Sequence, residues 1–294
     1  MVDLLMPTIA QGLLWAIMAL GVYITYRVLD IADLTVEGSF PLGAAVAASM
    51  LAGGASPLAA FVAAMLAGML AGVATGLLHT KLKIPALLAG ILTMIALYSV
   101  NLRVMGKANL SLLRIDTVFS MVRELGGFSN AQAVLCVGVI SALLVGVLLY
   151  WFFGTEIGAA IRATGFNPQM IRAQGVDTNF TIILGLLISN ALVALSGALV
   201  AQNNGFADVG MGTGTIVIGL ASVIIGEVLF GTRSFKNCII SVVLGSIVYR
   251  LVIAAVLQMG MPPNDLKLFT ALLVAFALSL PLIKNKLGLR KAVK

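Results

Sequence analysis

The chain has 294 residues, of which 61% are hydrophobic and 10% charged, with a mean hydropathy of +1.11. A water-soluble domain carries about 25% charged residues, so this chain cannot coat a solvated surface, and disorder, which needs low hydrophobicity and high charge, is excluded as well. The net charge of +7 is no nucleic-acid signal: five of the eighteen basic residues fall in the last eleven positions, after a hydrophobic helix, where they suit lipid headgroups and the cytosol.

What remains is an all-α, polytopic membrane protein. The longest uncharged runs are 4–26, 38–80, 84–102, 125–155, 178–207 and 209–226, and one crossing needs about 20 mostly apolar residues. Alternating barrel strands do not produce such runs. Residues Met1 to Met6 carry no basic stretch, so the first run is read as a retained span and not as a cleavable signal. The 43-residue run 38–80 holds two crossings around the turn Gly53-Gly54-Ala55-Ser56-Pro57. Nine crossings are expected, at about 8–27, 38–53, 57–79, 84–104, 131–153, 179–201, 213–230, 237–257 and 268–283. The second follows an irregular stretch, Asp30 to Gly38, and the seventh is Gly-rich; either can be broken or tilted. The whole of 1–294 reads as one transmembrane domain.

In the third span, Ala60, Ala64, Gly68, Gly72 and Gly76 recur at every fourth position and share one helical face. Small faces let helices approach closely in lipid, so Gly68, Gly72 and Gly76 are read as packing residues, with a pore-lining face as the alternative. A duplication hint, Gly-x4-Gly-x-Ala, occurs at Gly38/Gly43 and at Gly214/Gly219. Transporters often repeat interrupted helices at the substrate path.

Orientation follows from the Lys and Arg distribution. With 154–178 and the basic tail 284–294 in the cytoplasm and the N-terminus outside, twelve basic residues lie inside and five outside, Arg250 being within a span. The segment 105–130 is the exception, external yet basic, and reads as an external helix.

Motifs for chemistry are missing. No Gly-x4-Gly-Lys-Ser/Thr sequence is present, so the chain does not hydrolyse nucleotides itself; His-Glu-x-x-His, Cys-x-x-Cys and Gly-x-Ser-x-Gly are absent too. Catalysis, a metal and a cofactor in this chain are not expected. The two cysteines, Cys136 and Cys238, read as packing residues, and His79 as a solvated residue at a helix end.

The segment 154–178 is polar enough, through Glu156, Arg162 and Arg172, to stay out of the bilayer. Thr155 to Thr164 forms a short amphipathic helix ended by Gly165. Asn167-Pro168 starts another, with Asn as N-cap and Pro at the first position, and Gly175 ends it. A helix–Gly–helix element lying under the membrane is a handle on which a partner can push.

Within spans, Asn101, Asn190 and Ser196 either bond a cargo or join helices. Glu37 and Ser39, at the broken entrance of the second helix, are candidates for a cavity wall. Glu227 lies about one turn, or 6 Å, from the inner end of the seventh span and either lines a transport path or snorkels to the interface. Arg250 lies about 20 Å into the eighth span, too far in depth to pair with Glu227, and serves either function or a structural partner such as a carbonyl.

The pattern Gly158-x3-Arg162-Ala163-x-Gly165-x-Asn167, then Ala173-x-Gly175-Val176, resembles the cytoplasmic coupling region of ABC-importer permeases for branched-chain amino acids, simple sugars and nucleosides. Ala194-Leu195-Ser196-Gly197-Ala198-Leu199 resembles that family's small-residue helix, and Leu34 to Ala44 its motif between the first two helices. The wording Ala32 to Phe40 is similar to a branch linked to aromatic amino acid uptake. Where family members often carry Gly-Gly, this chain has Gly226-Glu227. The resemblance covers roughly 8–285. It implies two permeases pairing across the membrane, a homodimer by expectation, with two P-loop ATPase subunits below that hold ATP and Mg, and a substrate-binding protein outside. It places Glu156, Arg162, Gly165, Asn167, Arg172 and Gly175 at the ATPase contact, in the cell (inner) membrane. The competing reading is an autonomous secondary transporter or channel, which needs ion-coupling carboxylates at mid-depth; only Glu227 and Glu37 lie near a span.

Overall fold

The computed structural model describes residues 2–260, 262 and 265–286. Each of the nine apolar segments is occupied by a helix: α1 (Val2–Tyr23), α2 (Val36–Ala52), α3 (Pro57–Thr80), α4 (Ala86–Met105), α6 (Asn130–Gly154), α9 (Thr178–Asn204), α10 (Thr215–Phe230), α11 (Phe235–Gln258) and α12 (Leu266–Lys286). Among the described residues, seven are long and apolar enough to cross a membrane, counting Val209–Phe230 as one of them. The 17-residue α2 is shorter. The last eight residues of the basic tail lie outside the described residues.

Local chemistry sets the ends. Ser56 caps α3, with Pro57 at the first position; Ser129 and Gln132 close a reciprocal capping box on α6; Asp177 caps α9. Each satisfies backbone N–H groups that a helix start leaves open. The all-α expectation is corrected in one place. Segment 105–130 is not one helix: β1 (Asn109–Ser111) pairs antiparallel with β2 (Phe206–Asp208), Leu110 opposite Ala207, and only α5 (Val118–Gly126) is helical. Gly106 and Gly127, both at positive φ, end α4 and α5, and the strand pairing at 109–111 and the capping box at Thr117 hold the helix to its nine residues.

The core is built on α9, which packs against α3, α2 and α1. The glycines are contact points. A Cβ added at Gly68 or Gly72 would lie 2.4 Å from the carbonyl oxygen of Asn190 or Leu186, and at Gly76 it would lie 2.9 Å from Ile183. The small-residue face of α3 therefore meets the backbone of α9. The same holds for Gly43 against Ala194 and Gly197 against Phe40. In lipid, where apolar burial gives helices little reason to associate, this closeness supplies the dispersion contact that does.

Running antiparallel to α9, α1 ends in a π-helical turn, Ile24–Val28. The chain then leaves helical geometry from Leu29 to Thr35 and returns along α9 before α2 begins. Cys136 and Cys238 are unpaired. His79 is not simply solvated: its Nδ1 lies 2.9 Å from the Ile84 carbonyl oxygen, closing the turn between α3 and α4.

Gly72→Ala is expected to destabilise the folded protein by about 1–3 kcal/mol, because a tightly packed site must shift to admit a methyl group. Gly154→Ala, where no atom lies within 4 Å, is expected to be neutral or slightly stabilising. Thermal unfolding of both variants in detergent checks the contrast.

Candidate functional site

Two interrupted helices meet inside the bundle. The chain descends through β2 and a 3-10 turn, Val209–Gly212, before Gly214, at φ +83°, turns it into α10. The Glu37 carboxylate in the first turn of α2 accepts the Gly214 N–H at 3.0 Å. A Cβ at Gly212 would lie 2.0 Å from the Glu37 carbonyl oxygen, so the two segments are in backbone contact. The N-terminal ends of α2 and α10, each carrying the positive end of a helix dipole, are held side by side at a carboxylate.

A second carboxylate lies one strand of chain away. Asp33 is 3% exposed. It accepts the Thr35 N–H at 2.9 Å and the Asn190 side-chain amide at 2.9 Å. Asn190 in turn accepts the Ser39 hydroxyl at 2.7 Å and donates to the Leu186 carbonyl. Asn190 is twelve residues into α9, about 18 Å from the helix start at 1.5 Å per residue. The Thr35, Thr75 and Thr93 hydroxyls continue the network at 2.7 and 2.9 Å across α2's cap, α3 and α4. Ionisable groups at such depth are held by partners or serve a water path. Asp33 escaped the sequence reading because it lies in no span; its signal was its place in the irregular stretch Asp30 to Gly38.

The other polar candidates separate. Ser196 donates to the Leu14 carbonyl at 2.8 Å and so ties α9 to α1. Asn101, 1% exposed, donates to the Gly38 carbonyl at 3.3 Å, and its Oδ1 has no partner. Asn101 and Glu37 line a cavity of about 420 Å³ with Tyr98, Met94, Pro41 and Thr213. An unpaired amide oxygen beside a carboxylate makes the polar part of this cavity an acceptor, suited to a guest that brings N–H or O–H donors.

At the opposite end of α10, Glu227 pairs with Arg27 in the π-helical turn. Arg27 Nε lies 2.8 and 3.1 Å from the two carboxylate oxygens, and Nη2 bonds Oε2 as well. Neither reading of Glu227, as a path residue or as one that snorkels to the interface, included this ion pair. Among the described residues Arg250 has no carbonyl partner; its guanidinium stacks 4.2 Å from the Trp15 ring centroid, a cation–π contact that the spacing of charges in the sequence could not show.

The segment 154–178 folds as α7 (Glu156–Phe166) and α8 (Pro168–Ala173). Asn167 ends the first and caps the second, accepting the Met170 N–H at 3.0 Å. Gly165 does not terminate α7. It lies inside the helix, where a Cβ would come within 1.9 Å of the Val28 carbonyl oxygen; its missing side chain lets α7 touch the π-helical turn. Gly175, at φ +87°, turns the chain into α9. Glu156, Arg162, Asn167, Arg172 and Gly175 are exposed, and Arg172 bonds the Thr178 hydroxyl. Arg162 lies over the Phe235 ring at 5.4 Å, and Phe235 packs on Phe153 and Tyr23 at 5.0 and 6.2 Å. Phe166, at the tip between the two helices, is 92% exposed.

Among known proteins, residues 4–278 match the family described as branched-chain amino acid transport system, permease component. A tyrosine transport system permease protein of Clostridioides difficile (strain R20291) is 43% identical over 270 residues, covering 92% of this chain and 88% of that one. An uncharacterized protein of Rickettsia prowazekii (strain Madrid E) is 34% identical, covering 94% of this chain and 97% of that one. A D-allose transport system permease protein of Escherichia coli (strain K12) is 33% identical over 46% of this chain and 43% of that one.

Asp33→Ala is expected to cost more stability than Ser196→Ala. The first leaves two buried donors unpaired, at about 1–3 kcal/mol each, and the second removes one hydroxyl–carbonyl bond worth about 1 kcal/mol. Denaturation in detergent micelles orders them; the reverse order would show that the carboxylate does not hold the break together.

Proposed function

This chain belongs to the permease family of branched-chain amino acid transport systems, and from that premise we propose how its parts divide the work. It is the membrane-spanning permease subunit of an ABC transporter. In the proposed arrangement 1–294 is one permease domain. It crosses the cell (inner) membrane nine times, α2 and α12 adding to the seven long helices, with the N-terminus outside and the tail 284–294 in the cytoplasm. The basic-residue asymmetry supports that orientation. A second copy completes the pore as a homodimer, and an extracytoplasmic binding protein delivers cargo.

The loop 154–178 is then cytoplasmic. Glu156, Arg162, Asn167 and Arg172, with the exposed Phe166, form the docking surface for separate P-loop ATPase subunits, which carry ATP and Mg. The observation that carries this reading is the contact of Gly165 with Val28: the surface on which an ATPase would push touches the π-helical turn at the end of α1. Turns of this kind inside α-helices are frequent at functional sites. Arg27 in that turn and Glu227 on α10 form the inner gate, opened when α7 moves.

The cargo path passes the meeting of α2 and α10, where interrupted helices of transporters place their substrates. Glu37 and Asn101 face the cargo there, while Ser39, Asn190 and Ser196 hold the wall. The cargo is a small metabolite, an amino acid. An aromatic one is supported by the tyrosine transport relative and by an acceptor-rich cavity with Tyr98 and Met94 in its wall.

The test is ATP-dependent uptake of labelled L-tyrosine into vesicles in which the permease turns its ATPase toward a lumen loaded with ATP and Mg, the binding protein and the tyrosine being added outside. Arg162→Glu is expected to lower binding-protein-stimulated ATP hydrolysis at least tenfold with unchanged membrane levels. Full stimulation would remove the coupling role from this loop. Separately, Glu227→Gln is expected to alter uptake and to raise unstimulated hydrolysis, with insertion unaffected, and the exchanged pair Arg27→Glu with Glu227→Arg to recover part of the loss. Wild-type kinetics in the single variant would return Glu227 to a packing role.

A further inference from the structure

A groove and a basic pocket join on the wall between α6 and α11, away from the cargo cavity. The groove, about 380 Å³, is lined by apolar residues of both helices, among them Val139, Leu143, Gly146 and Ile240. From Val139 to Tyr150 it follows α6 for eleven residues, about 16 Å at 1.5 Å per residue, close to half of a hydrocarbon core of about 30 Å. Tyr150 and Lys236 end the groove and also line the second cavity, about 620 Å³, which adds Arg162, Thr155, Ser234 and Trp151. That cavity holds two cations and no carboxylate in its lining. Trp151 and Tyr150, 69% and 54% exposed, are the residue types that sit at headgroup level. Arg162 is held in place over Phe235.

We propose that this joined site binds one anionic phospholipid, its phosphate between Lys236 and Arg162 and one acyl chain in the groove. Charge complementarity selects the occupant: an apolar trough one leaflet deep that opens onto two unopposed cations fits a lipid with a net negative headgroup, and a zwitterionic lipid brings its own cation to the same place. Basic pockets between spans bind acidic headgroups for this reason. Because Arg162 lies on α7, the bound lipid touches the element on which the partner ATPase is proposed to act, yet the site itself stands without that reading.

The test uses fluorescence, since the chain has two tryptophans, Trp15 and Trp151. The complete transporter is placed in nanodiscs of phosphatidylcholine doped with chain-brominated phosphatidylglycerol or, at equal mole fraction, chain-brominated phosphatidylcholine; Trp151→Phe supplies the Trp15 background. Brominated phosphatidylglycerol is expected to quench Trp151 with a relative binding constant at least tenfold above phosphatidylcholine. Lys236→Gln is expected to cut that preference about fivefold, near the worth of one basic residue at a membrane surface. Gly146→Leu, which fills the groove where the nearest atom to an added Cβ is 3.5 Å away, is expected to abolish the saturable quenching by either lipid with both cations intact. Equal quenching by the two lipids, a preference unchanged in Lys236→Gln, or saturable quenching surviving in Gly146→Leu would each overturn the site.

Discussion

Backbone that leaves helical geometry inside hydrocarbon must find every hydrogen-bond partner within the protein, because lipid offers none. This constraint governs the two places where the chain unwinds, Leu29 to Thr35 and Val209 to Gly214. At the first, the Asp33 carboxylate accepts from Thr35 and Asn190 and recruits Ser39 through the same amide. At the second, Glu37 accepts the first free N–H of α10. Both unwound stretches are thus closed by acids at the ends of helices, where a negative charge also meets the dipole. The starts of α2 and α10 depend on those acids, and the cavity between them depends on where those helices start.

Glycine makes this possible at a second level. The carboxylates reach their partners only because α2, α3 and α9 stand close enough for backbones to touch, at Gly43, Gly68, Gly72 and Gly197. A larger residue at any of these would move α9 outward and lengthen the bonds of Asn190 with it. Close packing and polar satisfaction are therefore one arrangement: the small residues set the distances at which the buried amide and carboxylate bond.

The sequence disclosed the parts with strong local signals. Long gaps between charges marked the helices, Asn167-Pro168 marked a cap, and the four-residue ladder marked the packed face of α3. Pairings between distant residues left no such trace. Arg27 and Glu227 are two hundred positions apart; both fall near the inner ends of their spans, but nothing in one dimension shows which span ends meet. Gly165 misled for another reason: a glycine that ends a helix and one that admits a neighbouring backbone look alike in one dimension. Asp33 lay in a stretch read as irregular, and only the return of that stretch along α9 turns it into a buried group.

The same return explains how a small element at the membrane surface can govern the interior. In the proposed importer, force on α7 is delivered at Gly165 to the carbonyl of Val28 and, through Arg162, to Phe235 at the start of α11. Val28 follows Arg27 in the π-helical turn, and the Arg27–Glu227 pair joins that turn to α10. From Val28 the chain runs five residues to Asp33, and Leu29 in that run packs against Gly185 of α9. Asp33 is bonded to Asn190, and Asn190 to Ser39 on the first turn of α2. A displacement at the surface therefore reaches the junction of α2 and α10 by covalent chain and two hydrogen bonds. The π-helical turn is the compliant step in that line, because its wider coil lacks the regular i→i−4 bonding that stiffens the helix before it.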